Sequence, residues 1–521
     1  MTFNPFGANA DVHSHTLLKY VQNDVLDLWD PIGVRNKLYQ ANNIQRATAA
    51  DFSSLAKGEV QLVFVVMTPP EQKTLYFRDK KVFGINVPPE LLVRFASFLS
   101  RIPADKIKLF QSQSYDHYTM LLREKKIYEG GQNLSQRVKI PSLGTVRCKY
   151  KLVNSFNEVR DNYITNNNNK KERIISVVLT VESAHALGSG HVDFNGQPNV
   201  FNAGEEVILK RVDAMKGIAS PGNEAWPFTP IWMTMTHAFN NNICGFAQAL
   251  EKRFRDLLDF SEPFTADHNP PRYQAGLNSG LTPIGKKVIQ RMLGIDDVSK
   301  ARANKGRRIL VDIKHMSTRA RKEYYDMIDA HNAQNPTDII PVLMSHAAVN
   351  GKPNLNENNF NPLDTDEDAD NSNGFNPWSI NLYDEEIIRI HQTKGLMGLI
   401  FYQPILAGKK KREGHLTWRA DQWANIFGDQ IEYMVKTIFN TGAADKADIW
   451  NYICLGSDFD GQINPVDEFA TADQLPDFRM ALRSVLNQPR FNTYRGGADV
   501  DLLTDKICGT NAAGFMRRYF N

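Results

Sequence analysis

Near the start of the chain, Asp11-Val12-His13-Ser14-His15 sets two imidazoles two residues apart. On an extended strand that spacing turns both to one face, where neutral imidazoles suit a divalent cation. Alone the pair says little, because a single histidine reads as a capped surface or core residue. Four later segments change its weight. VVLTVESAH, WMTMTHAF, ILVDIKHMS and PVLMSHAAV each run apolar and strand-like into an ionisable side chain: Glu182, His237, His315 and His346 in turn. A fifth, YICLGSDFDG, closes on Asp458. His13 and His15 suit one metal ion, His315 and His346 a second, and Glu182 a bridging carboxylate between them. Two ions about 3.5–4 Å apart activate a shared water and polarise a carbonyl, which is the chemistry of amide or ester hydrolysis. In that scheme Asp458 takes the proton from the attacking water and delivers it to the leaving nitrogen. His237 hydrogen-bonds the developing oxyanion and so touches substrate. No cysteine lies near these residues, which argues against thiolate or iron–sulfur chemistry.

Strands that each deliver a ligand type at the C-terminal end describe the active face of a (β/α)8 TIM-type barrel, an α/β fold. The expected strands lie at 9–13, 60–67, 174–181, 230–236, 308–313 and 338–344, with GLMGLIFYQPI as the seventh and the run into Asp458 as the eighth. EVQLVFVVMTPP is almost unbroken apolar, as a strand covered on both faces should be, until Pro69-Pro70 stops it. Helical segments alternate with the strands, one of them marked by a cap signal where Thr282 precedes Pro283. Residues 240–306 read as mostly helical with a break at DHNPPRY, and GTNAAGFMRRYF seals the ring. The barrel therefore occupies 1–69 and 173–521. Residues 70–172 form a large insertion after the second strand, a cap or interface on the barrel's C-terminal side. It contains an amphipathic helix at PPELLVRFASFLSRI and edge strands at SQRVKIPSLGTVRCKYKLV. After the sixth strand, residues 350–379 are rich in Asn, Asp, Gly and Pro and read as a long loop over the active face, its DTDEDAD run solvated.

Composition sets the outer limits. A 521-residue chain with 42% apolar and 23% charged residues is that of a soluble globular protein. A net charge of +3 gives no field for nucleic acid or an anionic membrane. The four cysteines have no paired spacing, so neither a disulfide framework nor a zinc knuckle is expected. No signal-peptide pattern, lipid-anchor tail or apolar run near about 18 residues is evident, so a cytoplasmic setting without membrane contact is expected. The expected partner is a small molecule, with homodimerisation through the insertion a further expectation.

The ordered set of motifs resembles the membrane (renal) dipeptidase family of the amidohydrolase superfamily. VESAH is similar to its Glu-Gly-Gly-His segment, and MTHAFNN to its Leu-Thr-His-Asn run. GLTPIGKKVIQRM followed by VDIKHMS resembles its Gly-Leu-Thr-Pro-Phe-Gly helix and Asp-Leu-Ser-His-Val-Ser strand. PVLMSHAA resembles its Pro-Val-Ile-Phe-Ser-His-Ser, and GSDFDG matches its signature almost letter for letter. The resemblance covers most of 1–67 and 174–521 in the same order. It implies a two-zinc barrel with Glu182 bridging, His13 on the first ion, His315 and His346 on the second, His237 on substrate and Asp458 as acid/base. Two positions depart from it. The family's first strand carries His-x-Asp where this chain has His13-Ser14-His15, the pattern of the wider superfamily. The family's substrate-carboxylate arginine falls at Ile380, just before Asn381-Leu382-Tyr383-Asp384, so the bidentate fork for a dipeptide carboxylate is missing or supplied elsewhere.

Lesser candidates complete the reading. His185 is placed to orient Glu182 from behind, and Tyr402, ending the seventh strand, is placed to reach substrate or to pack in the barrel. His117, His191, His268, His331, His391 and His415 read as structural or loop residues, Lys314 as structural, and Asp460 as a turn residue. The function expected is a zinc-dependent hydrolase of a small amide, most simply a dipeptide. The alternatives are another amidohydrolase-type activity, on an N-acyl amino acid, lactone or ester, and a non-catalytic metal-binding barrel acting through its loops.

Overall fold

The computed structural model describes the chain apart from residues 1–7, 23–26, 34–46, 72–79, 83–84, 89, 92, 95–96, 98–101, 113, 133, 191–198, 250–275, 296–305, 356–373, 410, 412–419, 462 and 464. Eight strands pair in parallel in chain order: β1 Asn9–Ser14, β2 Val60–Met67, β3 Glu172–Val181, β4 Trp232–Thr234, β5 Leu310–Asp312, β6 Leu343–Ala347, β7 Leu396–Leu399 and β8 Ile453–Leu455. The ring closes just beyond β8. There a parallel bridge joins Ser14 to Phe459, Asp458 N–H donates to His13 O at 2.9 Å, and His15 N–H donates to Phe459 O at 2.9 Å. The fold is a (β/α)8 barrel, and its closure draws the residues after β8 onto the histidines of β1.

β2 and β3 explain why the sheet must be enclosed. Only Gln61 of β2 is not buried, and β3 is buried from Ile174 to Val181, so neither strand has a face to give to water. Inside, Phe64 stacks on Trp232 with ring centroids 4.8 Å apart. Outside, the expected cap at Thr282 forms: its hydroxyl accepts Gly285 N–H at 3.0 Å, with Pro283 at the first helical position and Gly294 left-handed at the far end.

Some boundaries move for local reasons. The sixth strand, expected over 338–344, runs from Leu343 to Ala347. Pro341 has no N–H for a ladder, while Asn332 Oδ1 and Thr393 Oγ1 take the N–H groups of Ile340 and Val342. Of the stretch expected to be mostly helical, residues 241–249 instead make short bridges, Cys244 with Leu281 and Phe246 with Leu277 and Met316. DHNPPRY lies outside the described residues, as does most of PPELLVRFASFLSRI.

The segment between β2 and β3 touches both ends of the barrel. A hairpin, Gln136–Ile140 with Gly144–Leu152, lays its second strand parallel to the first half of β3, from Arg147 against Glu172 to Leu152 against Val177. The same segment carries helix α1 (His117–Gly131), which reaches the opposite end, where Glu124 accepts a hydrogen bond from Thr68 N–H just past β2.

Candidate metal centre

Each ligand type stands where a strand stops. Glu182 follows β3, with its N–H held by Met67 O at 3.0 Å. His13 lies within β1 and His15 just after it, His346 lies within β6, and His315 and Asp458 come three residues after β5 and β8. Ser183, His315, Asp458 and Asp460 all hold positive φ, between 60° and 70°. Such strain in non-glycine residues persists where neighbours fix it and collects at functional sites. Gly461 is required by the same packing: a Cβ there would lie 2.0 Å from Asp458 Oδ1.

Glu182 is the centre of the cluster. Its Oε2 lies 3.3 Å from His15 Nε2. Its Oε1 lies 3.3 Å from His315 Nε2, 3.7 Å from His13 Nε2 and 3.8 Å from His346 Nε2. Asp458 Oδ1 stands 3.2 Å from His15 Nε2 and 3.8 Å from His13 Nε2, and the Nε2 atoms of His315 and His346 are 3.2 Å apart. Donors on one tetrahedral ion, with bonds of about 2.0–2.1 Å, are separated by roughly 3.3–3.4 Å. The nitrogen–nitrogen and shortest nitrogen–oxygen separations fit that spacing. Three overlapping trios have donor atoms close enough to share an ion: His13–His15–Glu182, His13–His346–Asp458 and Glu182–His237–His315. The residues present therefore fit divalent cations. The third trio differs from the ligand pairing read from sequence, because it brings His237 beside His315.

A layer of hydrogen bonds aims these groups. Ser345 Oγ sits 2.9 Å from His13 Nδ1 and 2.8 Å from His346 Nδ1. It can accept both ring N–H groups, which turns both Nε2 lone pairs inward. Asp11 accepts from Ser457 N–H at 2.9 Å and His13 N–H at 3.1 Å, tying β1 to the start of the GSDFDG turn. Asp312 accepts from Ser345 N–H and Lys314 N–H, each at 3.1 Å. His237 Nδ1 donates to Glu71 Oε2 at 2.9 Å.

Charge follows from burial and neighbours. Burial drives His13 and His346 well below the usual imidazole range and His315 to about 4, leaving neutral rings with free lone pairs. Burial also opposes charge on His15, but Asp458 and Glu182 outweigh it and lift that ring to about 10. Glu182 is held well below the carboxylate range because His237, His15 and His315 overcome its burial. Burial raises Asp458, against the pull of His15. Two carboxylates thus gather positive charge at the spot where the ligand atoms converge.

The sequence-derived residues divide into groups. His13, His15, Glu182, His315, His346 and Asp458 are brought together. His237 joins them, and its side chain, 31% exposed, marks the solvent side of the cluster. His185 stands behind Glu71, with its Nε2 donating to Pro69 O at 2.7 Å and its Nδ1 3.9 Å from Glu71 Oε1. Tyr402 is half-buried against the core outside the three trios, its backbone bridging Pro465. Asp460 anchors a turn, accepting from Ala49 and Ala50 N–H and pairing with Lys19. Ile380 is buried in the core, and Arg321 is spent on Glu386 and Ser379 O, so neither presents a guanidinium fork to the mouth.

No family model matches the sequence, and no curated protein matches it. Solved structures do. A metallopeptidase from Rhodobacter sphaeroides, liganded with a phosphinate mimic of the dipeptide L-Ala-D-Ala, aligns over 99% of this chain and 99% of its own, with 13% identity and a TM-score of 0.50. The metallopeptidase dipeptidase AC, of family M19, aligns over 98% of both chains with 14% identity and a TM-score of 0.49. The probable dipeptidase PvdM from Pseudomonas aeruginosa aligns over 98% of this chain and 94% of its own, with 13% identity and a TM-score of 0.45. The likeness is one of fold, a (β/α)8 barrel.

Four residues around the site escaped the sequence reading. Glu71 follows Pro69-Pro70 where the strand pattern ends, with no ligand motif around it. Glu124 lies on a helix of the insertion, far along the chain from every ligand. Ser345 precedes a ligand and so looked like an ordinary strand residue. Lys314 was read as structural, yet its ammonium is fully buried, lacks a hydrogen-bond partner among the described residues, and feels Asp458, Asp312 and Glu182. One signal was available: Asp11 and Asp312 stand two residues before His13 and Lys314, a period that keeps them on the inward face. No helix among the described residues is long and apolar enough to cross a membrane.

Proposed function

We propose that this chain is a metal-dependent hydrolase of small amides, most simply dipeptides, and that it uses two divalent ions, zinc first among them. The observation that supports this reading best is the orientation of Glu182, whose two oxygens face different imidazoles at 3.3 Å each. His13 and His15 would hold one ion and His315 and His346 the other, with Glu182 between them. Ions held there supply a nucleophile at neutral pH and polarise the scissile carbonyl. Asp458, at the rim of the cluster, takes the proton released as water attacks and passes it to the leaving nitrogen. His237, held by Glu71 and turned to the solvent side, donates to the oxygen that gains charge. Tyr402 borders the substrate, while most of the loop expected over 350–379 lies outside the described residues.

The relative from Rhodobacter sphaeroides was solved with a mimic of L-Ala-D-Ala, which makes a dipeptide ending in a D-residue the first substrate to try. The burial of Ile380, where a dipeptide's carboxylate would need a guanidinium fork, favours a second reading, another amidohydrolase-type activity on an N-acyl amino acid, lactone or ester. The zinc-loaded protein should be assayed on a panel of L,L and L,D dipeptides, their amides, N-acyl amino acids and lactones. Turnover of free dipeptides supports the first reading, and turnover confined to N-acyl amino acids, lactones or esters supports the second. No turnover of any amide or ester by fully loaded protein removes both.

A further inference from the structure

Helix α1 of the insertion enters the metal centre from outside. Glu124 is buried on it, and its Oε2 accepts Thr68 N–H at 2.8 Å. Thr68 in turn donates its hydroxyl to Glu182 Oε2 at 3.4 Å, the same oxygen that faces His15 Nε2 at 3.3 Å. Four residues then form a nearly closed ring: Glu124, Thr68, Glu182 and His15. The polar atoms left over at the two ends of this sequence of contacts are Glu124 Oε1 and His15 Nδ1. Both atoms are buried, neither has a hydrogen-bond partner among the described residues, and the two groups interact electrostatically across the gap. One helical turn beyond Glu124, Tyr128 bonds Thr16 at 2.7 Å, so the same face of α1 is pinned to the residue that follows His15.

Histidine at position 15 creates a need that a carboxylate there would not. An imidazole that gives Nε2 to a metal keeps a proton on Nδ1, and that N–H requires an acceptor to fix the ring and raise its basicity. We propose that Glu124 is the outer carboxyl of the metal centre, a positioning residue that anchors His15 directly across the gap and Glu182 through Thr68. This rests on the metal-centre reading above. It also gives the insertion a function: the segment between β2 and β3 completes the side of the centre that holds His13, His15 and Glu182.

The test is a titration of metal-free protein with Co(II) against a competing chelator, followed by the visible spectrum of the bound ion. Glu124→Gln keeps an acceptor for Thr68 N–H but turns an amide donor toward His15. One of the two ions should then bind about 10–100-fold more weakly with a changed spectrum, while the other is unaffected. Thr68→Val, which removes only the hydroxyl to Glu182, should weaken the same ion and stands in if the first variant does not fold. The Glu124→Gln effect should vanish in a His15→Ala background, which separates positioning from general damage. Unchanged affinity and spectrum in Glu124→Gln, or an effect of full size without His15, overturns the proposal alone. No metal on the unaltered protein overturns it together with the reading it rests on.

Discussion

His237 Nδ1 and Glu71 Oε2 are 2.9 Å apart, and Glu71 is buried while the imidazole faces solvent. The carboxylate fixes the tautomer and angle of the ring, which leaves Nε2 for whatever enters the site. Glu71→Gln should therefore lower kcat about 10–100-fold on any substrate the panel finds, with a smaller change in KM. Steady-state kinetics checks this. A rise in KM with kcat unchanged would mean that His237 only binds the ground state.

Ser345 Oγ lies within hydrogen-bond distance of two candidate ligands at once, His13 and His346. Ser345→Ala removes that one shared acceptor with little change in volume. Metal affinity should fall by at least about 10-fold, since losing one such partner costs 10–100-fold. Chelator competition measures it, and an unchanged affinity would show that the backbone alone holds the rings.

Lys314 places inside the barrel an ammonium with no hydrogen-bond partner among the described residues. Burying such a charge is costly, and an apolar side chain of similar length avoids the cost. In the metal-free protein Lys314→Met should raise stability by about 1–4 kcal/mol, read from urea unfolding. A loss of stability would indicate that the carboxylates of Asp458 and Asp312 depend on that charge.

Burial lifts Glu124 to about 8, against an ordinary value of 4.5. Below the ordinary value both the folded and the unfolded chain carry the proton, and the contribution to stability is complete. As pH rises toward 8 the unfolded chain releases its proton first, so this contribution is lost through that window. Metal-free protein should lose on the order of a few kcal/mol relative to Glu124→Gln between these limits. Unfolding curves at several pH values compare the two, and parallel pH dependence would contradict the assignment.

The candidate ligands were legible because a barrel strand announces its end. Apolar runs into Glu182, His315, His346 and Asp458 carry both the fold and the side chains that matter, and β-strand parity places His13 with His15. Residues that act by support were not legible in this way. Glu71 and Glu124 reach the site through contacts with Ala238 and Thr68, 167 and 56 positions away along the chain, and no local pattern encodes that closeness. His185 was read as a partner of Glu182, but the turn after β3 carries its ring to Pro69 and Glu71. Strand parity set Lys314 apart from His315, yet both feel Glu182, because His315 at positive φ no longer follows the alternation. Parity also carries no information about burial, which makes a lysine beside three carboxylates part of the site's field.

Elemental analysis of the purified protein after dialysis against zinc, beside Glu182→Ala and His315→Ala, bears on everything above. Two ions per unaltered chain, with fewer in each variant, is the expected result. A chain that retains no metal, or variants that retain as much as the unaltered protein, would contradict the placement of the centre around Glu182.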